Sequence, residues 1–214
     1  SECLVGSEMC IRDRRPGAGV DAGDAAQWEE VITLGRLAKY ALEQGVQCMI
    51  EGPGHVPMNQ VRTQIQGIKR LTNNAPLYVL GPLCCDSAPG YDHIAGAIGG
   101  ALGVEAGVDF LCYLTPAEHL TLPDEDDVRA GVMASRVAAH VGEVALGRER
   151  AVRREATMNA GRKALDWDMM RDAALDPRQL DKRREEHKHE DVCAMCGKFC
   201  ACLLYTSDAA DDKA

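Results

Sequence analysis

Short apolar runs alternate with helix-periodic stretches through the first two-thirds of this chain, and that alternation restricts it to an architecture built on a parallel sheet. Ala25 to Gln44 carries Val31, Leu34, Leu37, Ala38, Ala41 and Leu42 at helical spacing, with Gly45 as a stop. Val46-Gln-Cys-Met-Ile50 then reads as a buried strand. Val61, Ile65, Ile68 and Leu71 mark a second helix, and Leu77-Tyr-Val-Leu80 a second strand. His93 to Ala106 is a Gly/Ala-rich helix that leads into the strand Phe110-Leu-Cys-Tyr-Leu114, and Asp126 to Leu146 is a further amphipathic helix. Such tight strand–helix spacing suits a (β/α) barrel. An open doubly wound sheet is the alternative, and no Gly-x-Gly-x-x-Gly fingerprint supports it.

In a parallel barrel, functional groups gather at the carboxyl ends of the strands. Glu51 directly follows the first strand, and Gly52-Pro-Gly-His55 turns the chain behind it. The second strand runs into Gly81-Pro-Leu-Cys84-Cys85-Asp86 and then Ala88-Pro-Gly-Tyr-Asp-His93. The third runs into Thr115-Pro-Ala-Glu-His119. His55 and His119 thus follow different strands, where two imidazoles could converge on one metal ion; the competing reading has each capping a helix or satisfying a backbone group. His93 reads as structural or as a support behind the site, His140 as structural, and His187 and His189 as solvated. Cys48 and Cys112 are small core residues by default, with Cys112 near enough its strand's end to face the site. Adjacent Cys84 and Cys85 should diverge, which argues against a shared metal.

The far end of the chain holds Cys193-Ala-Met-Cys196-Gly-Lys-Phe-Cys200. Three closely spaced thiols can hold an iron–sulfur cluster and leave one metal vertex open, whereas Cys202 as a fourth ligand would make a zinc knuckle or a closed cluster; free thiols are the third possibility. Cys202 is itself suspect. Met9-Cys-Ile-Arg-Asp13 can be written in codons whose reverse complement reads Cys-Leu-Leu-Tyr-Thr, the run Cys202 to Thr206. Two ends encoded by opposite strands of one short DNA resemble a translated transposase adapter. The expected organisation is therefore an artefact at 1–14, a partial barrel at 15–147, a helical extension and linker at 148–190, a cysteine segment at 191–201 and an artefact at 202–214. Residues after about Asp176 are expected to be mobile, since so charged a segment has little apolar surface to dock it.

Composition bounds the partners. With 214 residues, a net charge of −9 and 46% hydrophobic residues, the chain can build one sizeable domain. An acidic balance argues against nucleic-acid or anionic-membrane binding, and no apolar run is long enough to span a membrane. Two Trp and two Phe make no stacking platform for bases. Cysteines without a signal peptide point to a reducing cytoplasm.

Arg15-Pro-Gly, Met49-Ile-Glu-Gly-Pro-Gly-His-Val-Pro-Met58, Ala75-Pro-Leu-Tyr-Val-Leu-Gly-Pro-Leu83, Ala88-Pro-Gly-Tyr-Asp-His93 and Leu111-Cys-Tyr-Leu-Thr-Pro-Ala-Glu-His-Leu120 together resemble the phosphomethylpyrimidine synthase family of non-standard radical S-adenosylmethionine enzymes. The resemblance covers about Arg15 to Ala201. It implies the C-terminal part of a (β/α)8 TIM-type barrel, followed by helices and a mobile iron–sulfur segment, in a fragment that would be inactive alone. It also implies conversion of aminoimidazole ribotide to the hydroxymethylpyrimidine phosphate of thiamine. Cys193, Cys196 and Cys200 would hold a [4Fe-4S] cluster whose open iron chelates S-adenosylmethionine, and reductive cleavage would give a 5′-deoxyadenosyl radical. His55 and His119 match the family's ligands for zinc or another divalent metal; Arg15, Glu51 and Tyr78 match substrate-binding positions. Implied partners are a second copy of the protein, as homodimer, and an external electron donor such as flavodoxin or ferredoxin. The cluster motif departs from its familiar form: three residues separate Cys196 from Cys200, one fewer than usual. That spacing marks either a branch of the family or a paralogue, hydroxybenzimidazole synthase, acting on the same ribotide. From a different class come a zinc-binding structural module, with His187 or His189 completing the cysteines, and a non-catalytic assembly partner.

Overall fold

The computed structural model describes residues 20–190, 192 and 195–200. Arg15, Cys193 and the two suspected artefact stretches lie outside them. The chain divides into two compact units at Leu146–Gly147.

In the first unit, Asp24 starts α1 (Ala25–Glu43) by accepting the Gln27 amide at 2.7 Å, and Gly45, at φ 73°, lies just past its end. The order continues β1 (Ile50–Glu51), α2 (Met58–Leu71), β2 (Leu77–Leu80), α3 (Asp92–Ala106), β3 (Phe110–Cys112) and α4 (Glu125–Ala145). All three strands are parallel in the order β1-β2-β3, with Glu51 opposite Tyr78 and Leu80 opposite Cys112. The described chain is thus mixed α/β, mostly helical, with a small parallel sheet. Three strands are too few to display the expected closed barrel.

Both flanking strands are shorter than the apolar runs that announced them. Pairing starts only at Ile50, and Val46 and Met49 are 49% and 40% exposed, so the run is not a fully buried strand. Its partner strand begins behind Pro76, which has no N–H to carry the ladder further back. Val31, Leu34 and Ala38 of α1 pack with Val61, Ile65 and Ile68 of α2 and with Leu77 and Val79 of β2 in one core. Each buried Val, Leu or Ile side chain contributes roughly 1.5–3 kcal/mol.

Helix α3 sits unusually close to the chain leaving β2. A Cβ at Gly99 would strike the Pro82 carbonyl, and one at Gly96 the Leu114 side chain. Gly99→Ala is therefore expected to destabilise the full-length protein by about 1–3 kcal/mol through overpacking, outweighing the roughly 1 kcal/mol that Ala gains as a helix former. A lowered urea midpoint at unchanged slope would show it.

The second unit contains α5 (Glu149–Ala164), α6 (Trp167–Ala173), α7 (Pro177–Arg184) and two 3-10 turns, Glu185–His187 and Gly197–Phe199. Within the helical extension expected at 148–190, helix is interrupted at Leu165, whose φ of 55° is left-handed. After Asp176, in the stretch expected to be a linker, the chain forms a further short helix. Asp176 accepts the Arg178 and Gln179 amides and Pro177 occupies the first turn, so these two residues start a new helix. No residue of α7 is buried; polar contacts hold it instead. Arg171 donates to both oxygens of Asp181 at 2.9 and 3.1 Å. The Arg184 guanidinium lies 3.7 Å from the Trp167 ring centre and donates to the carbonyls of Glu190 and Val192.

Candidate active site at the strand ends

The first unit brings His55 and His119 together. Beyond the β1–β2 ladder, the Leu83 amide donates to the Gly54 carbonyl at 2.8 Å and the Val56 amide to the Leu83 carbonyl at 2.9 Å. His55 is thereby held beside Leu83 as a parallel extension of the sheet. His119 comes from the turn after β3, where the Leu120 amide donates to the Ala117 carbonyl at 2.9 Å, and it takes a left-handed φ of 60°. The two imidazole centroids are 5.2 Å apart with their planes tilted by 45°.

Carboxylates stand beside both rings. His55 Nδ1 is 2.7 Å from Asp86 Oδ1, and His119 Nδ1 is 3.8 Å from Asp92 Oδ2. The first is a hydrogen bond; the second is an ion-pair distance. Two imidazoles on one tetrahedral zinc, with Zn–N of about 2.0–2.1 Å, place their ring centres about 5 Å apart, so this pair fits a shared divalent ion. Among the described residues no group of three or more His, Cys, Asp or Glu side chains is arranged to hold a metal, so any further ligands must come from elsewhere.

Glu51, buried at 6% exposure, is the register partner of Tyr78. The Cys112 thiol acts on the Tyr78 hydroxyl, so the end of β3 joins the same cluster. Burial, together with Cys112 and the Glu51 carboxylate, pushes the Tyr78 hydroxyl well above the usual phenol range. Burial likewise raises the Cys112 thiol; the Tyr78 hydroxyl offsets part of that rise, and the Glu118 and Glu51 carboxylates add to it. Both groups are therefore neutral near pH 7. Cys84 and Cys85 diverge: Cys84 packs against the core, and burial pushes it up to about 11, while Cys85 is exposed.

Arg15 and Cys193 fall outside the described residues. Cys196 is exposed and Cys200 is buried, on either side of the Gly197–Phe199 turn in the second unit. Asp86, Asp92 and Glu118 carry no site role in the sequence reading. Their one signal is that each is a carboxylate in, or just beyond, a loop leaving a strand.

A parallel α/β unit that collects imidazoles, carboxylates and a phenol at the exits of adjacent strands has the layout of an α/β enzyme domain. The chain belongs to the Radical SAM ThiC family, which it matches over residues 11–207. It is 53% identical over 189 residues to a phosphomethylpyrimidine synthase of Desulforamulus reducens, covering 87% of this chain and 44% of that relative. A protein of the same name from Desulfitobacterium hafniense is 53% identical over 193 residues, with 89% and 44% covered. Another, from Thermoanaerobacter pseudethanolicus, is 51% identical over 189 residues, with 87% and 44% covered. The chain spans less than half the length of these curated relatives.

Proposed function

We propose that the full-length protein carrying this chain is a radical S-adenosylmethionine lyase that converts aminoimidazole ribotide to 4-amino-5-hydroxymethyl-2-methylpyrimidine phosphate in thiamine biosynthesis. Family membership and the shared name of the relatives support the reaction class. The observation that carries the site is the approach of His55 and His119 to 5.2 Å between ring centres, beside the buried Glu51 and neutral Tyr78.

In this reading His55 and His119 hold zinc or another divalent metal. Cys193, Cys196 and Cys200 hold a [4Fe-4S] cluster; a short turn between the last two suits thiolates gathered on one face, and three thiolates leave one iron for S-adenosylmethionine. Bound there, cluster and S-adenosylmethionine would supply the one-electron chemistry that opens the substrate to rearrangement. Glu51 accepts hydrogen bonds from the imidazole or ribose part of the ribotide. Tyr78, kept protonated, donates to it without adding charge. Arg15 supplies a planar two-pronged donor for the phosphate. β1 and β3 are the edges of the described sheet, where strands from the rest of the protein would pair to complete a (β/α)8 barrel. The working enzyme is then a cytoplasmic homodimer fed by flavodoxin or ferredoxin, and the 214-residue chain by itself is inactive.

Anaerobic turnover of aminoimidazole ribotide by the reconstituted full-length enzyme tests this. The expected product is the pyrimidine phosphate with methionine and 5′-deoxyadenosine. A hydroxybenzimidazole product would overturn the assignment in favour of cobamide lower-ligand synthesis.

A further inference from the structure

We infer that Asp86 and Asp92 are positioning residues for the imidazole pair: Asp86 holds His55 and Asp92 holds His119, each by the Nδ1 edge, so that each ring offers Nε2 as its metal ligand. This rests on the reading of the two histidines as metal ligands and assigns the groups that orient them.

Topology makes the arrangement economical. β2 lies between β1 and β3. His55 leaves β1, His119 leaves β3, and both aspartates lie on the chain that leaves the central strand, six residues apart. A single segment thus reaches an imidazole on either side. The first pair is a short hydrogen bond, 2.7 Å from His55 Nδ1 to Asp86 Oδ1. An imidazole that donates Nδ1–H to a carboxylate carries its lone pair on Nε2, the tautomer that ligates metal through that atom, and the carboxylate makes the ring more basic.

The second pair carries an independent sign that positive charge belongs beside it. Asp92 is 4% exposed, and its Oδ2 is buried with no hydrogen-bond partner. Yet that oxygen is the one that stands 3.8 Å from His119 Nδ1. A buried carboxylate oxygen without a donor is costly. Its place at the first residue of α3 helps, because the helix N-terminus favours negative charge. That benefit is smaller than the desolvation penalty, and positive charge transmitted through a metal-bound His119 ring would offset the remainder.

The test uses the full-length protein with its cluster assembled, stripped of divalent metal and titrated with Co²⁺ against a competing chelator. Asp86→Asn and Asp92→Asn are each expected to weaken Co²⁺ binding about 10–100-fold. The melting temperature of the metal-stripped protein should not fall below the wild-type value, and Asp86→Glu should recover part of the affinity. If both Asn variants bind Co²⁺ as tightly as wild type while His55→Ala binds weakly, the positioning role is overturned and the metal pair stands. If His55→Ala and His119→Ala also bind as wild type, the metal-pair reading itself falls. A drop in metal-free melting temperature large enough to account for the whole loss would make the aspartates structural, and would overturn the inference too.

Discussion

Cys200→Ser in the full-length protein, reconstituted anaerobically with iron and sulfide, is expected to lose both the S-adenosylmethionine-responsive iron–sulfur absorption and turnover, down to background. Cys200 is buried at 5% exposure beside the Gly197–Phe199 turn, so serine fits its space and the change is one of ligand chemistry. A hydroxyl is a hard, weakly acidic donor where iron–sulfur clusters take thiolate. Cys84→Ser is the control: that thiol packs against the core and is held protonated by burial, with a pKa of about 11, so cluster content should match wild type. An iron–sulfur signal that survives Cys200→Ser would remove this cysteine from the cluster. Stoichiometric zinc with no iron in the wild-type protein would instead favour a structural zinc module.

The second large effect is expected at the imidazole pair. His55→Ala and His119→Ala should each lower turnover about 10²–10³-fold, the scale on which losing one preorganised electrostatic element acts, and each should lower bound divalent metal. Because both rings would serve one ion, the double variant should be little worse than either single one. His140→Ala, within α4, should leave turnover unchanged. Full activity in either single variant would sink the shared-metal role and favour a non-catalytic assembly partner.

Much of the first unit was legible in the sequence. The apolar period over Ala25 to Gln44, with Gly45 behind it, marks α1 to within a residue at each end. The polar strand exits were also visible, because glycine or proline follows each apolar run. Strand extents were not legible: an apolar run states a preference for burial, whereas a strand ends where its neighbour ceases to offer partners, as β1 does opposite Leu77 and Tyr78. The short helix after Asp176 was not legible for a different reason. Helix α7 buries no residue, so no apolar period announces it; a cap, a proline, the Arg171–Asp181 pair and the Arg184–Trp167 stack hold it instead.

His55, His119 and Glu51 could be singled out as candidates because residue type and position after a strand are properties of the chain itself, whereas Tyr78, inside β2, was named only through the family resemblance. That the two rings lie 5.2 Å apart, 64 positions from one another in sequence, depends on β1 and β3 flanking the same central strand. The pairing of each ring with its own aspartate is likewise invisible in one dimension. The sequence alone determined which groups could do chemistry here. Only the parallel order β1-β2-β3 decided which of them meet, since side chains distant along the chain converge only where hydrogen-bonded strands end side by side.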